Sequence, residues 1–177
     1  MSEPRHPAAL QRAAPKRAQP LYTPEERVRR DATRWTLVQG ILAPLQFLVF
    51  LVSLGLVLRF LSTGEGYAAA TASVVLKTCV LYLIMITGSI WEKVVFDRWL
   101  FAPAFFWEDV FSFVVLALHS AYLVALFAGL DPVLQMTLAL MAYATYVVNA
   151  GQFIFKLRMA RLQADGPTGA APVEAVA

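Results

Sequence analysis

Four long apolar stretches dominate the pattern of hydrophobic and polar positions along the chain. Three of them contain no Asp, Glu, Lys or Arg, and the second is interrupted only by Lys77. Because about 20 residues cross a hydrocarbon core as an α-helix, each stretch is long enough to span a membrane. The pattern therefore predicts an all-α membrane protein, a bundle of four transmembrane helices. We expect these helices at about 35–61, 67–91, 106–129 and 132–158.

The composition agrees with a membrane protein and excludes other classes. Hydrophobic residues make up 59% of the 177 residues and charged residues 15%. A soluble domain has about 45–50% apolar and about 25% charged residues, so this chain has too little polar surface for a soluble globule. A single cysteine excludes a scaffold held by disulfide bonds.

The two ends of the chain differ from this apolar middle. Residues 1–20 are rich in Pro, Ala and Arg and lack an apolar period. We expect them, and residues 164–177, to be disordered tails on either side of a transmembrane domain at 21–163. Inside that domain, Thr23-Pro24-Glu25-Glu26 predicts the start of a short charged helix. Thr can cap the helix, Pro suits its first turn, and the second Glu completes a capping box.

The distribution of basic residues predicts the orientation of the bundle. Eight of the 15 Lys and Arg residues precede Trp35, two more lie between the second and third spans, and three follow the fourth span. The opposite loops hold only Arg59. Because basic residues are retained in the cytoplasm, we expect both termini there. The net charge of +3 thus marks orientation, and no nucleic-acid partner is expected.

Polar residues inside a membrane are costly, so their positions carry information. At about 100° per residue, each span has its polar residues along one line, as expected for a bundle with polar groups turned inward. Asp109 lies about 100° from the line on its helix. The four lines are Gln39, Gln46 and Ser53; Lys77 and Glu92; Glu108, Ser112, His119 and Tyr122; and Thr145, Asn149, Gln152 and Lys156.

Many of these groups lie near the cytoplasmic ends of the spans. Carboxylates, amides and the indoles of Trp35, Trp91 and Trp107 converge there, whereas the other halves of the spans carry few polar groups. A transport pathway needs polar groups through the full depth of the membrane, so transport is disfavoured. Lys77 is expected to reach outward along the lipid or to bond a carbonyl group.

Two carboxylates stand beside indoles at the membrane boundary, in Trp91-Glu92 and Trp107-Glu108. Apolar surroundings favour the neutral form of a carboxyl group, and carboxyls in different surroundings can divide the roles of acid and base. Structural roles remain open: the indoles as interfacial anchors, the acids as favourable charges at a helix start, and His119 as an interhelical hydrogen-bond partner. The chain has no P-loop, dinucleotide-binding glycine turn, paired-cysteine zinc motif or His-Glu-x-x-His.

Three long blocks of the chain resemble the 3-vinyl bacteriochlorophyllide hydratase family. They read LYTPEERVRRDATRWTLVQGILAPLQFLVFLVSLGLVLRFL (21–61), ITGSIWEKVVFDRWLFAPAFFWEDVFSFVVLALHSAYL (86–123) and AYATYVVNAGQFIFKLRMARLQ (142–163). The resemblance implies a multi-pass hydro-lyase of bacteriochlorophyll a synthesis in the inner membrane of phototrophic bacteria. It implies the addition of water to the C3 vinyl group of chlorophyllide a, a magnesium tetrapyrrole, to give the 3-(1-hydroxyethyl) derivative.

Residue roles follow from the chemistry of that reaction. Adding water to a vinyl group requires one acid and one base, and no cofactor of the protein's own is expected. We expect Glu108 to donate the proton, and Asp109 or Glu92 to act as the base that orients the water. His119 is a candidate ligand of the substrate's magnesium ion, and the protein itself is expected to bind no metal. Further expected substrate-binding residues are Trp35, Gln39, Trp107, Asn149, Gln152 and Lys93, with Lys93 or Lys156 meeting the propionate.

Two other classes of function are alternatives on sequence grounds. A non-catalytic tetrapyrrole-binding or assembly protein would use the same indoles and buried His119 in a four-helix bundle. A small transporter subunit is the third possibility. For a hydratase and for a non-catalytic tetrapyrrole-binding protein alike, the expected partners are the magnesium tetrapyrrole and the lipid bilayer. Other enzymes of the pathway are candidate partners.

Overall fold

The computed structural model describes residues 21–164, and both predicted tails lie outside this range apart from Ala164. Within the described range the chain forms five α-helices and no strand. The four long helices are apolar enough to cross a membrane, which confirms the predicted spans. The helices are α1 (Pro24–Ala32), α2 (Arg34–Thr63), α3 (Tyr67–Phe96), α4 (Phe106–Phe127) and α5 (Pro132–Ala164).

The predicted charged helix is α1, and its start is the capping box expected from the sequence. The Thr23 hydroxyl accepts a hydrogen bond from the Glu26 backbone N–H, and the Glu26 carboxylate accepts one from the Thr23 N–H. Just before α1, the ring of Tyr22 is buried against Phe96 and Phe105. Burial raises the pKa of the Tyr22 phenol, so this side chain stays neutral. The segment before the first span is therefore held against the bundle.

The two ends of α3 are fixed by residues with positive φ. Gly64 and Gly66, in the turn from α2, have φ of 75° and 85°, a conformation that glycine adopts without steric cost. At the other end, α3 continues five residues beyond the expected Trp91, because Glu92–Phe96 extend the helix. It stops at Asp97, which has a φ of 60° and donates its N–H to the Lys93 carbonyl.

The bundle is built from two helical hairpins. Helices α2 and α3 pack along each other, as do α4 and α5, whereas contacts between the two hairpins are sparser. Fully buried Val57, Val74, Val115 and Met136 form part of one shared core. Large apolar side chains on the other faces of the helices are exposed, as the surface of a bundle surrounded by lipid requires.

The inward polar lines are largely confirmed, with three corrections. Asp109 is buried together with Glu108, although it lies off the line on α4. The halves of the spans distant from Glu108 are not poor in polar groups, because Ser53 bonds Tyr143 at 2.6 Å and other hydroxyls lie beside them. The expectation for Lys77 is wrong: its side chain is fully buried and makes no hydrogen bond to any residue within 21–164.

Candidate active site at the charged end of the bundle

Three carboxylates are buried where the end of α3 meets the start of α4, a region that we call the charged end of the bundle. They are Glu92, Glu108 and Asp109, each no more than 6% exposed. Helix periodicity brings Glu92 and Glu108 inward, but Asp109 is buried because the connecting segment, residues 97–105, folds over it. The sequence therefore predicted the gathering of these acids but not the way in which they are enclosed.

The connecting segment donates one backbone N–H to each of two carboxylates. The Phe101 N–H bonds Asp109 Oδ2 at 2.7 Å, and the Ala102 N–H bonds Glu92 Oε2 at 3.2 Å. Phe101 has a φ of 58°, an uncommon value for a residue with a side chain, and its ring stacks on Phe113 at 5.6 Å. Backbone donors thus hold both carboxyl groups in fixed positions.

The Glu92 and Asp109 carboxyl groups are held close together, because the adjacent backbone N–H groups of Phe101 and Ala102 each bind one of them. Two buried carboxylates held close together repel each other strongly when both are charged, so a pair of this kind accommodates a shared proton. The arrangement can store a proton for transfer.

Glu108 has different surroundings, although it is the neighbour of Asp109 in the chain. Its Oε2 lies 2.5 Å from the Lys156 ammonium of α5, which also donates to the Ala104 carbonyl. The ammonium group lies 5.1 Å from the centre of the Phe105 ring. A cation in contact stabilises negative charge on Glu108, a state suited to accepting a proton.

A cleft of about 350 Å³ opens beside Glu108. Its polar side is formed by Glu108, Lys156 and Gln152, whose Oε1 is buried without a hydrogen-bond partner among the described residues. The remaining lining is apolar: Leu21, Phe155, Met159 and Ala160. Of the three predicted catalytic acids, Glu108 is the one that lines this cleft. The apolar residues of the cleft were not predicted from the sequence, because no chemical motif distinguishes them from other apolar residues.

One turn deeper, Asn149 joins α5 to α4. Its Nδ2 donates to the Ser112 hydroxyl at 2.9 Å, and its Oδ1 is buried without a partner among the described residues. Asn149 and Gln152 therefore each present a free carbonyl oxygen near the charged end. Both were expected from the polar line on α5, and the structure places them on the same side as Glu108.

Gln39 and Trp35 lie at the start of α2, on the other hairpin. Gln39 Nε2 donates to the Thr87 hydroxyl at 2.8 Å, and Trp35 is half-buried. Trp91 Nε1 donates a hydrogen bond to the Thr36 hydroxyl at 2.9 Å, a contact that the sequence does not predict because threonine is common in helices of many kinds. These contacts tie α2 to α3 and do not bring either residue to the cleft.

Trp107 and Lys93 point away from the buried acids. Trp107 is 65% exposed, which suits an anchor at the membrane boundary. Lys93 bonds Asp97 at 2.6 Å, and this ammonium holds the pKa of the Asp97 carboxyl below its ordinary value. Neither residue lines the cleft.

His119 lies ten residues after Asp109 on α4, about 15 Å along the helix, and is fully buried. Its Nδ1 lies 2.8 Å from the Val115 carbonyl. Because a carbonyl oxygen can only accept, Nδ1 carries the hydrogen and Nε2 keeps its lone pair, as in a metal-ligating histidine. Among residues 21–164, no group of three or more His, Cys, Asp or Glu side chains is placed to hold a metal ion.

Four membrane-spanning helices and paired acids at one end define a multi-pass membrane protein with a site suited to acid–base chemistry. Residues 22–159 match the family model for 2-vinyl bacteriochlorophyllide hydratase. The chain therefore belongs to the 2-vinyl bacteriochlorophyllide hydratase family.

Two relatives of that name support the same conclusion. The protein from Cereibacter sphaeroides is 73% identical over 153 residues, covering 86% of this chain and 94% of the relative. The protein from Rhodobacter capsulatus is 73% identical over 144 residues, covering 81% of this chain and 84% of the relative. No solved structure matches the chain.

Proposed function

We propose that the protein adds water to the C3 vinyl group of chlorophyllide a, giving the 3-(1-hydroxyethyl) derivative during bacteriochlorophyll a synthesis. The family and both relatives are named as hydratases of a vinyl bacteriochlorophyllide. Their name numbers the vinyl position 2, which is position 3 in the alternative numbering of the tetrapyrrole ring. The observation that carries the site assignment is the cleft lined by Glu108, the residue that directly precedes the buried Asp109 in the chain.

The reaction is balanced without oxidation or reduction. A proton adds to the terminal CH₂ carbon, and the inner carbon becomes a cation conjugated with the macrocycle. The oxygen of water then bonds to that inner carbon and loses a proton to a base, leaving CH(OH)–CH₃. The protein must therefore supply one proton, hold one water molecule and accept one proton.

The surroundings of the acids support roles opposite to those expected from the sequence. Glu108 lines the cleft and is paired with the Lys156 ammonium, so it is suited to act as the base that orients water. The Glu92–Asp109 pair is suited to supply the proton, since two buried carboxyl groups held close together by the N–H groups of residues 101 and 102 share one readily. Gln152 also lines the cleft, and its amide is suited to bind the water molecule.

The cleft suits one edge of a flat amphiphilic ring. Its apolar wall, formed in part by Phe155 and Met159, offers contact to the macrocycle, while its polar side faces the reacting group. The bilayer holds the rest of the ring, and its propionate reaches the basic residues at the charged end, where Lys156 and Lys93 lie. In this arrangement both termini and the charged end face the cytoplasm of a phototrophic bacterium, in its inner membrane.

Hydrogen exchange at the vinyl group separates the two steps of the reaction. Membranes containing each variant are incubated with chlorophyllide a in D₂O, and product and recovered substrate are examined by mass spectrometry. We expect Glu108→Gln to lose hydration at least 100-fold yet still exchange the terminal vinyl hydrogens, because protonation and its reversal persist. Asp109→Asn and Glu92→Gln should lose both exchange and hydration.

The control is Glu65→Gln, an exposed acid at the opposite end of the bundle, which should behave as the unmodified protein. If Glu108→Gln lost exchange while Asp109→Asn kept it, Glu108 would be the proton donor after all. If the unmodified protein bound the pigment and produced no hydroxyethyl product, the protein would be a tetrapyrrole-binding or assembly protein instead of a hydratase.

A further inference from the structure

A second polar region lies deep in the bundle, far from the three acids. Lys77 of α3 and His119 of α4 are both fully buried, and they lie against tyrosines that are three residues apart on α5, Tyr146 and Tyr143 respectively. Glu92, on the same helix as Lys77, is 15 residues away, about 22 Å along the helix. The proposed hydration reaction uses neither residue, so their burial requires a separate explanation.

Four buried polar atoms in this region have no hydrogen-bond partner among the described residues. We call the four residues that carry these atoms the polar core. The unpartnered atoms are Thr71 Oγ1, Lys77 Nζ, His119 Nε2 and the phenolic oxygen of Tyr122. Thr71 precedes Lys77 by six residues on α3, and Tyr122 follows His119 by three residues on α4. Buried polar atoms without partners are uncommon in folded proteins, and four in one region is a concentration that calls for a ligand.

The ammonium group of Lys77 lacks any anionic partner in the described part of the chain. Its Nζ lies 3.8 Å from the centre of the Tyr146 ring, so the ring contacts one side of the ammonium group in a cation–π interaction. The ammonium has three N–H donors, so donors remain to be satisfied. Desolvating a charge without hydrogen bonds costs more free energy than one cation–π contact returns.

His119 supplies the complementary group, because its Nε2 is an acceptor. The hydrogen on Nδ1 bonds the Val115 carbonyl, which leaves the Nε2 lone pair facing the protein interior. The polar core thus combines N–H donors, an imidazole acceptor and two hydroxyl groups that can act as either.

We propose that the polar core is a water-binding site, in which ordered water molecules link the Lys77 ammonium to His119 Nε2. Water accepts from Lys77 and donates to His119 at the same time, whereas a halide ion could not satisfy the imidazole lone pair. Buried waters commonly make about three hydrogen bonds to otherwise unsatisfied groups, and the polar core offers that number of partners. This site is independent of the proposed hydration chemistry.

Solid-state NMR of the full-length protein in liposomes tests this assignment. With ¹⁵N-labelled Lys and His, magnetisation is transferred from water protons and detected on nitrogen. We expect transfer to Lys77 Nζ and His119 Nε2 within a mixing time that also reaches Lys93, whose side chain is 39% exposed. In Lys77→Met, the His119 signal should fall to background, whereas Lys93→Met should leave it unchanged.

Other outcomes would overturn the water site. An absence of transfer to both nitrogens of the unmodified protein would show that the polar core is dry. A scalar coupling across a direct Lys77 N–H to His119 Nε2 bond, or shifts on replacing gluconate by chloride, would identify a direct bond or an anion. Because the unmodified protein alone decides among these outcomes, the test holds even if Lys77→Met does not fold.

Discussion

At the scale of single residues, Glu108 and Asp109 show how neighbours in sequence acquire different chemistry. One carboxylate contacts an ammonium group from α5, and the other is held close to a carboxyl group from α3 by the segment between α3 and α4. Helix periodicity predicted that Glu92 and Glu108 would lie at one end of the bundle. It did not predict their partners, because the reach of Lys156 and the path of residues 97–105 depend on packing between helices.

The ion pair between Glu108 and Lys156 leads to a prediction about turnover. Lys156→Gln removes the cation that stabilises negative charge on Glu108, and we expect kcat to fall about tenfold or more, a barrier increase of about 1.4 kcal/mol. Lys156→Arg, which keeps the charge, should restore part of the loss. Steady-state hydration assays measure both.

The matched control is Arg161→Gln, which removes an exposed cation farther along α5. Its kcat should stay within about twofold of the unmodified protein. Equal losses in the Lys156 and Arg161 variants would attribute the effect to general electrostatics instead of the ion pair.

At the scale of helices, the apolar pattern and the capping residues determine most of the helices that the chain forms. The start of α1 and the existence of all four spans were predicted from the sequence. The extension of α3 to Phe96 was not, because Glu92–Phe96 lack the continuous apolar character used to recognise a span. The enclosing segment between α3 and α4 has no periodicity, so its backbone bonds to Glu92 and Asp109 could not be derived.

The capping box of α1 gives a prediction about local stability. Thr23→Ala removes the hydroxyl that accepts the Glu26 N–H, and helix caps contribute about 1 kcal/mol. We expect amide hydrogen exchange of residues 24–32 to accelerate about fivefold. Thr137→Ala, an exposed threonine of α5, should leave α1 unchanged, and unaltered exchange in Thr23→Ala would show that docking alone holds α1.

At the scale of the whole molecule, two hairpins meet to form the bundle, and polar contacts cross between them. Ser53 of α2 bonds Tyr143 of α5, and Tyr67 of α3 bonds Gln135 of α5 at 2.7 Å. These bonds fix the pairing of hairpins whose outer surfaces are uniformly apolar. The sequence indicated inward polar groups but not which helices they would join, because helix angle alone does not order helices in space.

The proposed orientation has a direct test by thiol labelling in a Cys79→Ala background. Thr63→Cys and Arg98→Cys place one cysteine at each end of the bundle, both at exposed positions. In spheroplasts, a membrane-impermeant maleimide should label Thr63→Cys and spare Arg98→Cys. After lysis both should react, and the reverse pattern in spheroplasts would place the charged end outside.

The two-hairpin construction also has a consequence for biogenesis. Most contacts of α2 are with α3, so the first hairpin can insert and pack while the second is still being synthesised. The cleft is different, because Gln152 and Lys156 belong to the final helix. A nascent chain therefore becomes anchored in the membrane early and acquires its reactive site last. A product truncated before α5 would occupy the bilayer but would lack a complete site for hydration.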